Sequence, residues 1–257
     1  MSRIKNKIVL VAGGTGKIGG GIARKFLAAG AQVVVPSRSK EKLAALRGRL
    51  SDFGEKFLEK NLLLLEQDVG TETGAARVRD EVLQRYERID AVVASLGGGW
   101  SGLHLVNVPL QTWNEILHDN LTAHFIVAKN FLPFLLHLDA GDYIFIAGQG
   151  GIEPVEHSIP VCASVAGEIM LACGLALENR QSGVRIHTVV PGAVGAPERK
   201  ASLTDDYLST EDIGEFVVEL AACLKRFSDG KPISLGGKNE FQQKLADLRG
   251  SGKSWYL

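Results

Sequence analysis

Val9-Leu10-Val11-Ala12-Gly13-Gly14-Thr15-Gly16-Lys17-Ile18-Gly19-Gly20 decides the fold. A valine-rich apolar run enters a glycine loop, and an amphipathic helical pattern from Ile18 to Ala29 leaves it. Gly14-x-Gly16-x-x-Gly19 fits the dinucleotide fingerprint, and so does Gly13-x-x-Gly16-x-x-Gly19. Glycines here permit a tight turn, admit a pyrophosphate against bare backbone and let the helix approach the sheet. The helix N-terminus then faces the phosphates. Alone the pattern is weak; between a first strand and a first helix it is strong.

The same alternation continues outward. Ile8–Ala12, Gln32–Val35, Leu62–Glu66, Ala91–Ser95, Tyr143–Ala147, Ile186–Val190 and Pro232–Leu235 read as seven strands. Several are continuously apolar, as strands covered on both faces tend to be. Between them lie helical patterns over Ile18–Ala29, Lys40–Phe53, Thr73–Tyr86, Thr112–Leu138, Val161–Asn179 and Thr210–Phe227. Strand–helix alternation of this kind predicts a single-domain, Rossmann-type α/β fold: a doubly wound, parallel, seven-stranded sheet with helices on both faces. The domain is expected over residues 1–237, followed by a tail over 238–257 with a short helix. Phe241, Leu245 and Leu248 share one face of that helix and are expected to meet a partner subunit.

The chain has 257 residues, 45% hydrophobic and 23% charged, enough for one large core. Its 29 basic and 29 acidic residues cancel, so charge offers no case for nucleic acid or an anionic membrane. No apolar run reads as a membrane span, and no signal peptide is expected before the first strand. Three scattered cysteines (Cys162, Cys173, Cys223) suit reduced thiols in a cytoplasm. Six dispersed histidines lack metal-ligand spacing, so no metal is expected.

The second strand ends Val35-Pro36-Ser37-Arg38. Selection of NAD usually places an acid there for the ribose hydroxyls. Ser37 carries no repelling charge, Arg38 suits a bidentate phosphate clamp, and Lys17 could assist from the glycine loop. NADP(H) is therefore expected rather than NAD(H), unless Arg38 only begins a solvated helix face.

By this point the chain resembles the short-chain dehydrogenase/reductase family, over nearly its whole length to about residue 237. Asp68-Val69 resembles the family's adenine-contacting Asp segment, and Trp113 with Asn120 its active-site Asn helix. Val190-Pro191-Gly192 resembles the turn beside the nicotinamide, and Ile233-Ser234-Leu235-Gly236-Gly237 the closing strand. The resemblance implies cofactor contacts at Gly13, Gly14, Thr15, Gly16, Lys17, Ile18, Gly19, Ser37, Arg38, Asp68, Val69, Gly97, Pro191 and Gly192. It also implies a homodimer or homotetramer formed through the helices at 112–138 and 161–179.

The family's catalytic group then breaks the pattern. Its Tyr donates a proton as hydride reaches a carbonyl carbon, its Lys draws the phenol's pKa down and binds the ribose, a Ser holds the substrate oxygen, and an Asn supports the relay. Aligning Ile146-Ala147-Gly148-Gln149-Gly150-Gly151 with the family's Ile-Ser-Ser-x-Ala-Gly puts Gly148 at the Ser. Val161 stands for the Tyr and Val165 for the Lys, their helical spacing intact, and only Asn120 of the four remains. The Asn-Asn-Ala-Gly after the fourth strand reads Ala94-Ser95-Leu96-Gly97, and Ala196 replaces an expected Thr.

Tyr143 begins the fifth strand at the wrong end of the sheet to substitute. His157, Ser158 and Gln149 lie near the active-site mouth, Trp100 could cap a ligand, and the loop 195–208 with Lys200 and Tyr207 fits a substrate lid. Glu168 reads as a solvent or subunit-contact residue. Three functions are open: a catalytically silent cofactor sensor, scaffold or subunit; an NADP-dependent carbonyl or enoyl reductase with a non-family proton donor; and a structural interaction protein.

Overall fold

The computed structural model describes residues 3–195, 207–223, 228 and 230–250. Ala196, Lys200, the helical pattern beyond Cys223 as far as Phe227, and the tail from Ser251 lie outside them.

The strands are β1 (Ile8–Ala12), β2 (Gln32–Ser37), β3 (Leu62–Glu66), β4 (Ala91–Ala94), β5 (Gly141–Ile146), β6 (Val184–Val190) and β7 (Pro232–Ser234). The helices are α1 (Lys17–Ala28), α2 (Lys40–Arg49), α3 (Glu55–Asn61), α4 (Glu72–Tyr86), α5 (Leu110–Leu117), α6 (Ala123–His137), α7 (Ile159–Glu178), α8 (Thr210–Ala222) and α9 (Lys238–Gly250). The strands form one sheet in the order β3-β2-β1-β4-β5-β6-β7, and every pairing is parallel. The expected doubly wound fold is what the sequence folds into.

Side chains alternate across the strands into two cores. Val9, Val11, Val33 and Val35 meet Ile22 and Phe26 of α1, Leu46 of α2 and Phe216 of α8. Ile8, Leu10, Ala12 and Val34 meet Val78 and Val82 of α4, Phe131 of α6 and Ala172 of α7. Phe241, Leu245 and Leu248 of α9 are buried in the first of these cores, with Phe241 and Phe216 ring centroids 6.4 Å apart. The face expected to meet a partner is therefore turned onto α8 of its own chain, because that is where its apolar area leaves water.

Three differences from the sequence reading have local causes. The pattern over 40–53 breaks after Arg49 into a 3₁₀ turn, and Gly54, at φ +82°, starts the unforeseen α3. The pattern over 112–138 is interrupted by a π turn at His118–Thr122, which widens the helix at Asn120. Finally, α7 is long and apolar enough to span a membrane, with a mean hydropathy of 1.8, against the expectation that no run qualifies. Helix and sheet together supply the reason: Val165, Ile169 and Ala172 of α7 are buried on the sheet, so its hydropathy serves the core.

The two ends of the sheet differ in use. At the N-terminal edge charges are structural: Asp90 accepts from Ile8 N at 2.8 Å and pairs with Lys7 and Arg88, and Asp142 takes Arg185 through two bonds of 2.8 and 2.7 Å. The C-terminal edge is left to loops, and there lies the groove.

Candidate cofactor site

The β1–α1 loop forms the middle of the groove. Gly13 sits at φ +81°, and a Cβ there would fall 1.9 Å from the Ser95 carbonyl oxygen. Only glycine lets this turn approach the loop after β4 so closely. Gly19 is the second obligatory position, since its Cβ would lie 2.3 Å from the Gly13 oxygen as α1 begins. Helix α1 starts with Gly16 as its N-cap and no side-chain cap hydrogen bond, and Gly16 and Lys17 at its start line the groove.

The groove encloses about 380 Å³. Gly13, Thr15, Gly16 and Lys17 line it from the loop, Ser37 and Arg38 from the end of β2, Asp68 and Val69 from the end of β3, and Gly97 from the loop after β4. Among the expected contacts, Gly14 packs on Val35 and Gly19 lies inside the α1 junction. Ile18 lines a separate cavity beside Leu46, Val194 and Thr210. Pro191 and Gly192 follow β6, where Gly192 is pressed against Gly236 and a Cβ would fall 1.9 Å from that residue's oxygen. They stand outside the walls of this groove.

Charge is distributed unevenly along the groove. Lys17, Arg38 and Lys42 stand at its mouth. Arg38 is two-thirds exposed and reaches Asp68 at 4.0 Å, while the other Asp68 oxygen accepts from Gly70 N at 2.9 Å. Sequence reasoning missed Lys42, Gln67, His118 and Asp119, which also line the groove. Three carried a signal: Lys42 follows Arg38 by four residues, and His118 and Asp119 immediately precede Asn120.

Asn120, 4% exposed, donates to the Gly98 carbonyl at 3.2 Å and to Ser164 Oγ at 3.3 Å, and accepts from Gly98 N at 2.7 Å. Its amide ties the loop after β4 to α7. Glycine at 97 is required here, because a Cβ would fall 1.8 Å from Asn120 Oδ1.

Beyond Asn120 the surroundings turn apolar. Val165 is buried in a small cluster with Ala147, Ile169 and Val190, and half-buried Val161 packs against it. A Cβ at Gly148 would meet Val165 Cγ1 at 3.8 Å. The positions aligned with Ser, Tyr and Lys thus come together in space, and none offers a proton.

The family model of short chain dehydrogenases matches residues 7–207. The chain belongs to this family. A putative ketoacyl reductase of the granaticin polyketide synthase from Streptomyces violaceoruber is 31% identical over 195 residues, covering 74% of this chain and 68% of that protein. The L-fucose dehydrogenase of Bos taurus is 29% identical, covering 81% and 74%. Among solved structures, ElxO with NADP bound superimposes with a TM-score of 0.80 at 22% identity, over 90% of this chain and 97% of that one. A metagenomic short-chain oxidoreductase in complex with NADP gives 0.74 at 27% identity, over 91% and 97%.

Other expected participants are placed as follows. Glu168 is buried at 2% exposure between helices, contrary to the solvent or subunit role expected of it. Its position three residues after Val165 turns it inward with that side chain. Tyr143 is fully buried in β5. His157 adopts φ +60° in the loop before α7, and its ring lies edge-on to His104 at 4.4 Å between centroids. Its carbonyl accepts from Gly102 N at 3.1 Å, so the loops after β4 and β5 cross there. Ser158 is buried and Gln149 is exposed.

Proposed function

We infer that this chain binds NADP(H) in the groove and lacks the family's carbonyl reduction, acting as a cofactor sensor, scaffold or silent subunit. One observation carries the reading: Gly148, Val161 and Val165 meet in an apolar corner where a reductase hands over a proton. Loss of a positioned acid costs about 10²–10⁴ in rate. Loss of an oxyanion donor costs about 10²–10³, and the two are not additive.

The groove fits the cofactor. Its glycine cradle has no room for a Cβ at Gly13, α1 offers bare N–H groups for a pyrophosphate, and Lys17, Arg38 and Lys42 suit a 2′-phosphate. When bound, the nicotinamide supplies hydride chemistry. This chain's residues bind and orient it, and Val165 gives its ribose no ammonium. NADP in related structures agrees with that preference over NAD. Exposed Phe125, Met170 and Leu177 on α6 and α7 favour assembly of copies through those helices, as a dimer or tetramer.

A second reading, an oxidoreductase with another donor, draws on the His104–His157 pair at the loop crossing. One set of measurements separates the two. Quenching or enhancement of NADPH fluorescence should saturate, while NADPH oxidation stays at background across carbonyl and enoyl substrates. The triple variant Gly148→Ser, Val161→Tyr, Val165→Lys should gain carbonyl reduction. No saturable binding at millimolar NADPH refutes the first reading; turnover by the unmodified protein, lost in His157→Phe, establishes the second.

A further inference from the structure

Beneath the groove wall lies a polar cluster that cofactor binding, as described, does not use. His124 on α6 is fully buried, and its Nε2 lies 3.5 Å from the Leu96 carbonyl oxygen and 3.6 Å from Glu168 Oε1 on α7. Its ring stacks on Phe145 at 5.7 Å, and Tyr143 lies against the other end of Phe145's environment at 4.7 Å between ring centroids. His124 Nδ1, Tyr143 OH and Glu168 Oε1 are all buried without a hydrogen-bond partner. A buried polar atom left so loses its water without a replacement bond, which packing alone does not explain.

The cluster's place supplies an explanation. Leu96 and Gly97 line the groove, and so does Ala123, the neighbour of His124. Asn120 and His124 are one helical turn apart, as are Ser164 and Glu168. Two polar rungs therefore run from the groove wall to α7: Gly98–Asn120–Ser164, which is closed by hydrogen bonds, and Leu96–His124–Glu168, which is bonded at Leu96 and open at Glu168.

We propose that His124 and Glu168 are positioning residues of the cofactor groove: the Nε2–H of His124 holds the Leu96 carbonyl, and Glu168 competes for the same hydrogen. One donor stands between two acceptors, in a long hydrogen bond to Leu96 at 3.5 Å and with the unpartnered Glu168 Oε1 at 3.6 Å. The polar groups facing the ring are the Glu168 carboxyl from α7 and the Leu96 carbonyl, and the Tyr143 phenol from β5 acts on that same carboxyl. Burial raises the Glu168 carboxyl well above its usual range and holds the imidazole neutral. A neutral carboxyl is the weaker acceptor, so the N–H is left to Leu96; an ionised one draws it away and loosens the wall.

This deepens the cofactor-binding reading and rests on it, so the test has one readout with cofactor and one without. NADPH titration of His124→Phe, which keeps a ring against Phe145, should raise Kd by about tenfold, the loss of one hydrogen bond to a buried carbonyl. His124→Gln, which retains an N–H of similar reach, should recover most of that loss. Without cofactor, amide exchange of the segment 95–99 should accelerate in His124→Phe and not in His124→Gln. As pH rises and the Glu168 carboxyl ionises, the wild-type Kd should rise, and that of Glu168→Gln should not. The proposal is overturned if His124→Phe and His124→Gln behave alike in Kd and exchange, or if wild type and Glu168→Gln share one pH profile. Failure of wild type to bind NADPH, with exchange still separating the His124 variants, sinks the cofactor reading and leaves the positioning contact standing.

Discussion

Replacing Glu168 with Gln should make the folded protein markedly acid-sensitive, and the size of the effect follows from burial. The His124 imidazole is fully buried, and burial depresses its pKa from 6.5 to about 4. In the variant this ring titrates alone. The unfolded chain takes up its proton near pH 6.5 and the folded chain only near 4, so stability present above 6.5 is lost as pH falls between those values. At about 1.4 kcal/mol per pH unit the loss reaches about 3 kcal/mol. In the wild type Glu168 opposes it. Burial raises its pKa well above 4.5, so the folded state keeps a proton that the unfolded state releases from 4.5 upward. Between 4.5 and 6.5 the native pair (neutral ring, protonated carboxyl) and the unfolded pair (charged ring, ionised carboxyl) each hold one proton, and the slopes cancel. Above 6.5 the wild type loses stability as pH rises, and the variant does not. Urea unfolding followed by tryptophan fluorescence at half-unit steps from pH 4.5 to 8 measures both curves, and their difference removes every titration they share. Parallel curves from pH 5 to 7.5 would refute the single shared proton.

Two further outcomes test the site and the fold. Arg38→Ala should weaken NADPH by about tenfold and leave NADH nearly unchanged in parallel fluorescence titrations, because the guanidinium answers a charge that only NADPH carries. Phe241→Ala should cost about 3–5 kcal/mol in urea unfolding while sedimentation equilibrium shows the same assembly state, since the ring fills its own chain's core beside Phe216.

The fold was legible because its signals are local. Val9 and Val11 alternate with Ile8, Leu10 and Ala12 to fill two cores, and Gly13 and Gly19 mark a turn where backbone must touch backbone. The apolar corner was legible for the same reason, since spacing on one helix fixes Val161 and Val165 on one face. Gln67 was not, because what brings it to the groove is strand order, and β3 beside β2 beside β1 is a tertiary fact. The misreading of α9 has a related origin. An apolar stripe reports that area must be buried and is silent about which chain buries it.

Glu168 shows the harder limit. A glutamate on a helix reads as solvent-facing because ionised carboxylates are almost never fully buried without a partner. That rule concerns the ionised form. Here the helix face that turns Val165 and Ile169 onto the sheet carries Glu168 inward with them, so the residue's environment is set by its neighbours' hydropathy. Once inside, its protonation follows from the burial, and with it the ring of His124 and the carbonyl of Leu96. The contact between His124 and Glu168 thus lies one helical turn along α6 and α7 from Asn120 and Ser164, beneath the wall of the groove.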